Sequence, residues 1–174
     1  IAIADVLFGD FNPAGRLPFS VPRSVGQIPL YYNKKAPQSH DYVEMSASPL
    51  YPFGYGLSYT SFDYSDLHLS ALMPRSFEIS FKVRNTGKYD GEEVAQLYLR
   101  DEYASVVQPL KQLKHFARFY LKRGEEREVK FILSEEDFSL VDRNLKSIVE
   151  PGTFQIMIGA ASNDIRLQTK VEIK

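Results

Sequence analysis

Carboxylates are the residues in this chain most able to do chemistry, and they come in clusters: Glu92-Glu93, Glu125-Glu126 and Glu135-Glu136-Asp137. A close pair of acids could serve as nucleophile and general acid/base, provided that one is kept protonated by its surroundings. Here every cluster falls at a turn or at the edge of a strand or helix pattern. There the expected role is that of a solvated or capping charge. The histidines, His40, His68 and His115, are far apart and show no metal-ligand spacing. Cysteine is absent, so neither a thiolate metal site nor a disulfide framework can form. We therefore expect no catalytic residues, no substrate-binding residues, no metal ligands and no cofactor within these 174 residues.

Two further groups invite a binding reading. Tyr51, Phe53, Tyr55 and Tyr59 could stack on sugar rings. They are interleaved with Gly and Pro, which suits close packing against another surface, and packing is the expectation. Lys111, Lys114, Arg118, Lys122 and Arg123 form a mildly basic stretch. Acids lie close by and the formal net charge is −1, so a solvated sheet face is expected rather than a nucleic-acid or other polyanion site. No apolar run approaches the roughly 18 residues of a membrane span. Asn85-Thr86-Gly87 is not a glycosylation signal.

The elements that must position these groups change character along the chain. Ala2/Val6 and Ile3/Leu7 are i,i+4 pairs of a short apolar helix, with Gly9 placed to stop it. So short a helix is not stable alone in water and needs a partner layer. The chain opens directly on this pattern, without Met or a signal peptide, as expected of a piece cut from a longer protein. Its start therefore says nothing about export. Asn12-Pro13-Ala14-Gly15 reads as a turn. Closely spaced prolines then impose extended or irregular backbone. The stretch to about Ser61 is rich in Tyr, Pro and Gly, and reads as an ordered connector plastered over a neighbouring domain.

After Phe62 the period becomes two. Phe77, Ile79, Phe81 and Val83 alternate with Glu78, Ser80, Lys82 and Arg84. They are expected to face a core shared with Leu97, Leu99, Phe131, Leu133, Ile156 and Ile158. Strands are expected over Glu93–Arg100, Lys114–Leu121, Arg127–Leu133, Thr153–Ile158 and Ile165–Ile173. One helical turn should start at Ser134, with its acids in the first turn. The pattern predicts a mainly β fold, an antiparallel β-sandwich.

Several strings resemble the C-terminal region of family 3 glycoside hydrolases. ADVLFGDFNPAGRLPFSVPRSVGQIPLYYN (Ala4 to Asn33) is similar to the end of their α/β sandwich domain, and PLYPFGYGLSYTSF (Pro49 to Phe62) to the connector leaving it. VRNTGKYDGEEVAQLYLRD, PLKQLKHF and EPGTFQIMIG resemble their fibronectin type III-like domain. The resemblance spans nearly the whole chain in the family's order. It implies three parts: 1–33 ending the α/β sandwich, 34–61 a connector, and 62–174 a fibronectin type III-like (immunoglobulin-like) sandwich after a helix remnant. It also implies a parent enzyme, periplasmic or secreted, that cleaves terminal β-linked glucose or xylose with retention. That chemistry uses two carboxylates about 5 Å apart. In the family both lie upstream of anything matching Ala4 onward, so none is carried over to this chain.

The expected partners are the other domains of the same protein and, through them, a β-glycoside substrate; neither nucleic acid nor membrane is expected. In one place the string departs from its relatives: Asp41 stands where a basic residue is usual, before Tyr42 and Glu44. Two other readings are a carbohydrate-binding or cell-wall-anchoring module and an immunoglobulin-like protein-interaction domain. A brace should hide its aromatics against other domains, whereas a binding module should expose a flat row of them.

Overall fold

A computed structural model describes residues 2–35 and 41–174. Helix α1 (Ala2–Phe8) is followed by a long irregular segment containing one 3-10 turn, Val25–Gln27. The strands are β1 (Phe62–Met73), β2 (Ser76–Asn85), β3 (Gly91–Asp101), β4 (Gln112–Leu121), β5 (Glu126–Leu133), β6 (Leu140–Val141), β7 (Ser147–Ile148), β8 (Gly152–Ala161) and β9 (Asp164–Ile173). A three-stranded sheet, β1-β2-β5, faces a four-stranded sheet, β4-β3-β8-β9. All these neighbours pair antiparallel. The expected mainly β sandwich is the observed fold.

The core follows from period two. Ile79, Phe81 and Val83 of β2 are buried, and Phe77 packs at the edge of the same cluster. Leu97, Leu99, Phe131, Leu133, Ile156 and Ile158 join them, as their alternation requires. The turn at Ser134 forms as a 3-10 helix, Glu135–Phe138, and the Asp137 carboxylate accepts the Ser134 amide at 2.8 Å. Its last residue, Phe138, is driven into the core.

Strand β1 is not announced by its sequence, for a physical reason. Its register slips between Ser65 and His68, where Asp66 takes a positive φ of 53°. Such a bulge inserts a residue and reverses the alternation. Phe62 and Tyr64 face inward before it, Leu67 and Leu69 after it, so no single parity runs the length of the strand.

The segment before β1 departs from expectation twice. Residues 12–17 form no turn and no regular element. Asn12 spends its side chain on distant backbone, accepting the Tyr59 amide at 2.8 Å and donating to the Asp90 carbonyl at 2.9 Å. The chain then pairs with its own later part: Leu17 donates to Tyr55 and Val21 to Tyr51, both at 2.8 Å, and Gly54 returns a bond to Leu17.

The aromatic connector, for its part, lies over this chain's own sandwich, across the outer face of β3 and β8. Tyr32 stacks on Phe53 at 4.0 Å and meets Tyr98 edge-on. Ser162 donates to the Phe53 carbonyl. Gly54, at φ 80°, passes so close that a Cβ there would sit 2.2 Å from the Gln96 Oε1. Val94, Gln96 and Tyr98, the outward residues of β3, are consequently buried.

Candidate functional site: an exposed docking face

The carboxylate clusters do not converge. Glu125 and Glu126 lie in and just after the β4–β5 turn, and Glu135, Glu136 and Asp137 in the 3-10 turn. Glu92 is partly exposed and accepts from the Arg118 Nε at 3.0 Å.

Glu93 corrects the reading of these acids as solvated. It points inward from β3, its side chain 3% exposed, and pairs with the Arg16 guanidinium at 3.2 Å. Tyr64 donates its hydroxyl to the same carboxylate at 3.1 Å. Burial, and then the Glu93 charge, raise the Tyr64 pKa well above the usual phenol value, so it stays a donor. Arg166 lies over the Tyr64 ring at 4.9 Å and is itself held by Asp164. Arg16 and Glu93 are 77 residues apart, and nothing in either local sequence names the other. The only local signal is that Glu93 shares the parity of Ala95, Leu97 and Leu99, the apolar face of β3. With both oxygens engaged, this carboxylate fastens the N-terminal segment to the sandwich.

The histidines are not brought together. His115 contacts Asp137 at 3.3 Å, His68 is exposed on β1, and His40 lies outside the described residues. Among the described residues no group of three or more His, Asp or Glu could hold a metal ion. No described helix is long and apolar enough to cross a membrane. Within the basic stretch, Lys111 is not simply solvated: its Nζ donates to the Ser162 carbonyl, and desolvation lowers its pKa.

Asp41, the departure from the familiar string, turns back on its own loop. Its Oδ1 accepts the Ala47 amide at 2.8 Å and the Ser46 hydroxyl at 3.2 Å. Buried Gln27 holds the same loop from below, donating to the Ala47 and Ser48 carbonyls. Tyr42 and Glu44 are exposed on this loop.

One surface is built unlike the rest. Helix α1 buries none of its residues; Ile3, Leu7 and Phe8 are 78%, 72% and 84% exposed. Gly9 stops the helix as its position requires, at φ 87°. Leu7 and Phe8 line a cleft with Tyr59 and Tyr89, and the Tyr59 hydroxyl donates to the Val6 carbonyl. From Asp90, beside Tyr89, the surface continues onto β4, because the Tyr120 hydroxyl donates to the Asp90 carboxylate at 2.8 Å. The Arg123 amide, and then this hydroxyl, hold the Asp90 pKa below its ordinary value. Phe116, four residues before Tyr120 on the same face of β4, is also exposed. The result is a largely aromatic face running from α1 through Tyr59 and Tyr89 to Tyr120, with Phe116 farther along β4 beyond the exposed Arg118–Glu92 pair. Clustered exposed apolar side chains of this kind mark interaction sites on soluble proteins. Of the four connector aromatics, Phe53 is spent on internal packing, while Tyr59 belongs to this face.

Residues 1–59 match the family described as the glycosyl hydrolase family 3 C-terminal domain, and residues 93–162 the fibronectin type III-like domain. The chain is 46% identical to a periplasmic β-glucosidase of Salmonella typhimurium over 95% of its own length and 23% of that protein's. It is 44% identical to a β-xylosidase of Formosa agariphila, over 97% of this chain and 24% of the relative. Its fold superposes on a β-glucosidase of Erythrobacter marinus with a TM-score of 0.92 at 42% identity, over 99% of this chain and 23% of the other. For a β-glucosidase of Listeria innocua the TM-score is 0.90 at 36% identity, over 98% and 25%. The chain thus spans roughly a quarter of the length of the relatives it matches. Both matched regions, in this order and on this fold, place the chain in family 3 of the glycoside hydrolases, as a counterpart of their C-terminal region.

Proposed function

We propose that this chain is the non-catalytic C-terminal part of a β-glucosidase-like hydrolase and braces that enzyme's catalytic domains. The parent reaction is cleavage of terminal β-linked glucose or xylose with retention of configuration. In this reading residues 1–33 complete the preceding α/β domain, 34–61 connect, and 62–174 form the bracing sandwich. The observation that carries it is the exposed α1–Tyr59–Tyr89–Tyr120–Phe116 face. A seven-residue helix with no buried side chain gains too little from its own hydrogen bonds to persist alone. It is expected to be ordered by the domains that precede it. The parent is periplasmic or secreted, in keeping with the name of the Salmonella relative.

Retention needs two carboxylates about 5 Å apart, one free to attack and one to shuttle a proton. Glu93, the best-buried acid among the described residues, is committed to Arg16 and Tyr64 and cannot fill either role. The purified chain is therefore expected to show no turnover of aryl β-glucosides or aryl β-xylosides. Turnover above background that vanishes when a carboxylate of this chain is replaced would refute the non-catalytic assignment.

A further inference from the structure

A second concavity lies away from the docking face. It is an open groove of about 1110 Å³ between the connector and the strand pair β1/β9. Its floor is the Arg16–Glu93–Tyr64–Arg166 network, whose members already satisfy one another. Such a floor is rigid and needs no ligand to complete it.

The rim differs. Asp63, on β1, and Asn163, in the β8–β9 turn, are exposed and make no side-chain hydrogen bond among the described residues. Arg23 uses its Nε on the Ser48 carbonyl, leaving its two Nη groups without a partner among the described residues. Tyr55 adds an aromatic wall, tilted against Tyr51 at 4.9 Å.

Charge narrows what such a groove can hold. Arg16, Arg23 and Arg166 oppose a cation, while Asp63, Glu93 and Asp164 oppose an anion. A neutral ligand remains, and it must both donate to the Asp63 carboxylate and accept from guanidinium and amide groups. Hydroxyl groups do both. A ligand bearing many of them, with apolar C–H faces to lie on tyrosine, is a sugar. We propose that this groove is a non-catalytic binding site for a short neutral oligosaccharide. Asp63, Asn163 and Arg23 would bind its hydroxyls, and Tyr55 would stack beneath one ring. The assignment rests on the groove's own chemistry and stands apart from the bracing role of the α1 face.

The test is isothermal titration of the chain with cello-, xylo- and laminari-oligosaccharides, with inorganic phosphate as a charged control. Saturable binding of at least one oligosaccharide is expected, and none of phosphate. Asp63→Ala and Asn163→Ala, both exposed and outside the core, should each weaken it about tenfold, as loss of a polar contact does. Phe116→Ala, on the docking face, should leave it unchanged. The absence of saturable sugar binding would overturn the proposal. So would saturation by phosphate in place of sugar, or binding indifferent to both rim variants.

Discussion

Phe81→Ala is expected to cost about 3–5 kcal/mol, the usual price of emptying a buried phenylalanine site. For a chain of this size that corresponds to a fall in the unfolding midpoint of roughly 10 °C. Phe81 is 1% exposed and sits between the two layers, 5.9 Å from the Tyr64 ring and 5.8 Å from that of Phe131. Neither neighbour can collapse into the space, because Tyr64 is tied to Glu93 and Phe131 is fixed in the β2–β5 ladder. Lys82, one residue on, faces solvent and bridges Asp66 and Glu126. Exposed pairs of this kind contribute little, so Lys82→Ala should scarcely move the midpoint. Thermal unfolding of both variants followed by circular dichroism decides the matter. Equal losses would mean that β2 is out of register by one residue.

Breaking the Arg16–Glu93 pair should be nearly as damaging. Arg16→Ala leaves a buried carboxylate whose one remaining hydrogen bond among the described residues is from the Tyr64 hydroxyl, and Glu93→Ala leaves a guanidinium that is 12% exposed. Removing one member of a buried pair typically costs about 3–5 kcal/mol, because the remaining charge is stranded away from water. The double variant should lose much less than the sum of the single losses. Arg16→Ala should also loosen the N-terminal segment, which passes so close to Gly56 that a Cβ there would sit 2.2 Å from the Gly15 carbonyl oxygen. Limited proteolysis would then cut near residues 10–25 in the variant before it cuts the wild type. Additive single losses with unchanged proteolysis would mean that the pair does not fasten this segment.

What could be read from the sequence was what is locally encoded. Strand β2 and its core partners follow from alternation, and the 3-10 turn from Ser134 and the acids after it. Gly9 marks the end of α1 because that conformation is costly for other residues. What could not be read depends on distant partners. Strand β1 was masked by the bulge at Asp66, which splits its apolar residues between two parities. Asn12-Pro13-Ala14-Gly15 has turn composition, but the Asn12 side chain is claimed by Tyr59 and Asp90. Asn85-Thr86-Gly87 has turn composition, yet Asn85 is fully buried, donating to the Tyr89 and Leu121 carbonyls and accepting the Thr60 hydroxyl at 2.6 Å. Glu93 has the composition of a surface acid pair and the position of a core residue. The docking face was legible only as apolar residues lacking an obvious partner. Its continuation onto β4 required the fold, since Phe116 and Tyr120 reach α1 only through Tyr59, Tyr89 and Asp90.

The bracing role is tested most directly by hydrogen exchange, comparing the 174-residue chain with the longer protein from which its relatives' architecture suggests it comes. Amides of α1 are expected to exchange freely in the isolated chain, where the helix buries nothing, and to be strongly protected in the longer protein. The segments around Tyr59 and Tyr89 should gain protection in parallel. Amides of β2 should be equally slow in both, because Ile79, Phe81 and Val83 are already sealed within the sandwich. Equal protection of α1 and the Tyr59 and Tyr89 segments in the two proteins would contradict the account, because the face would then have no partner in the longer protein.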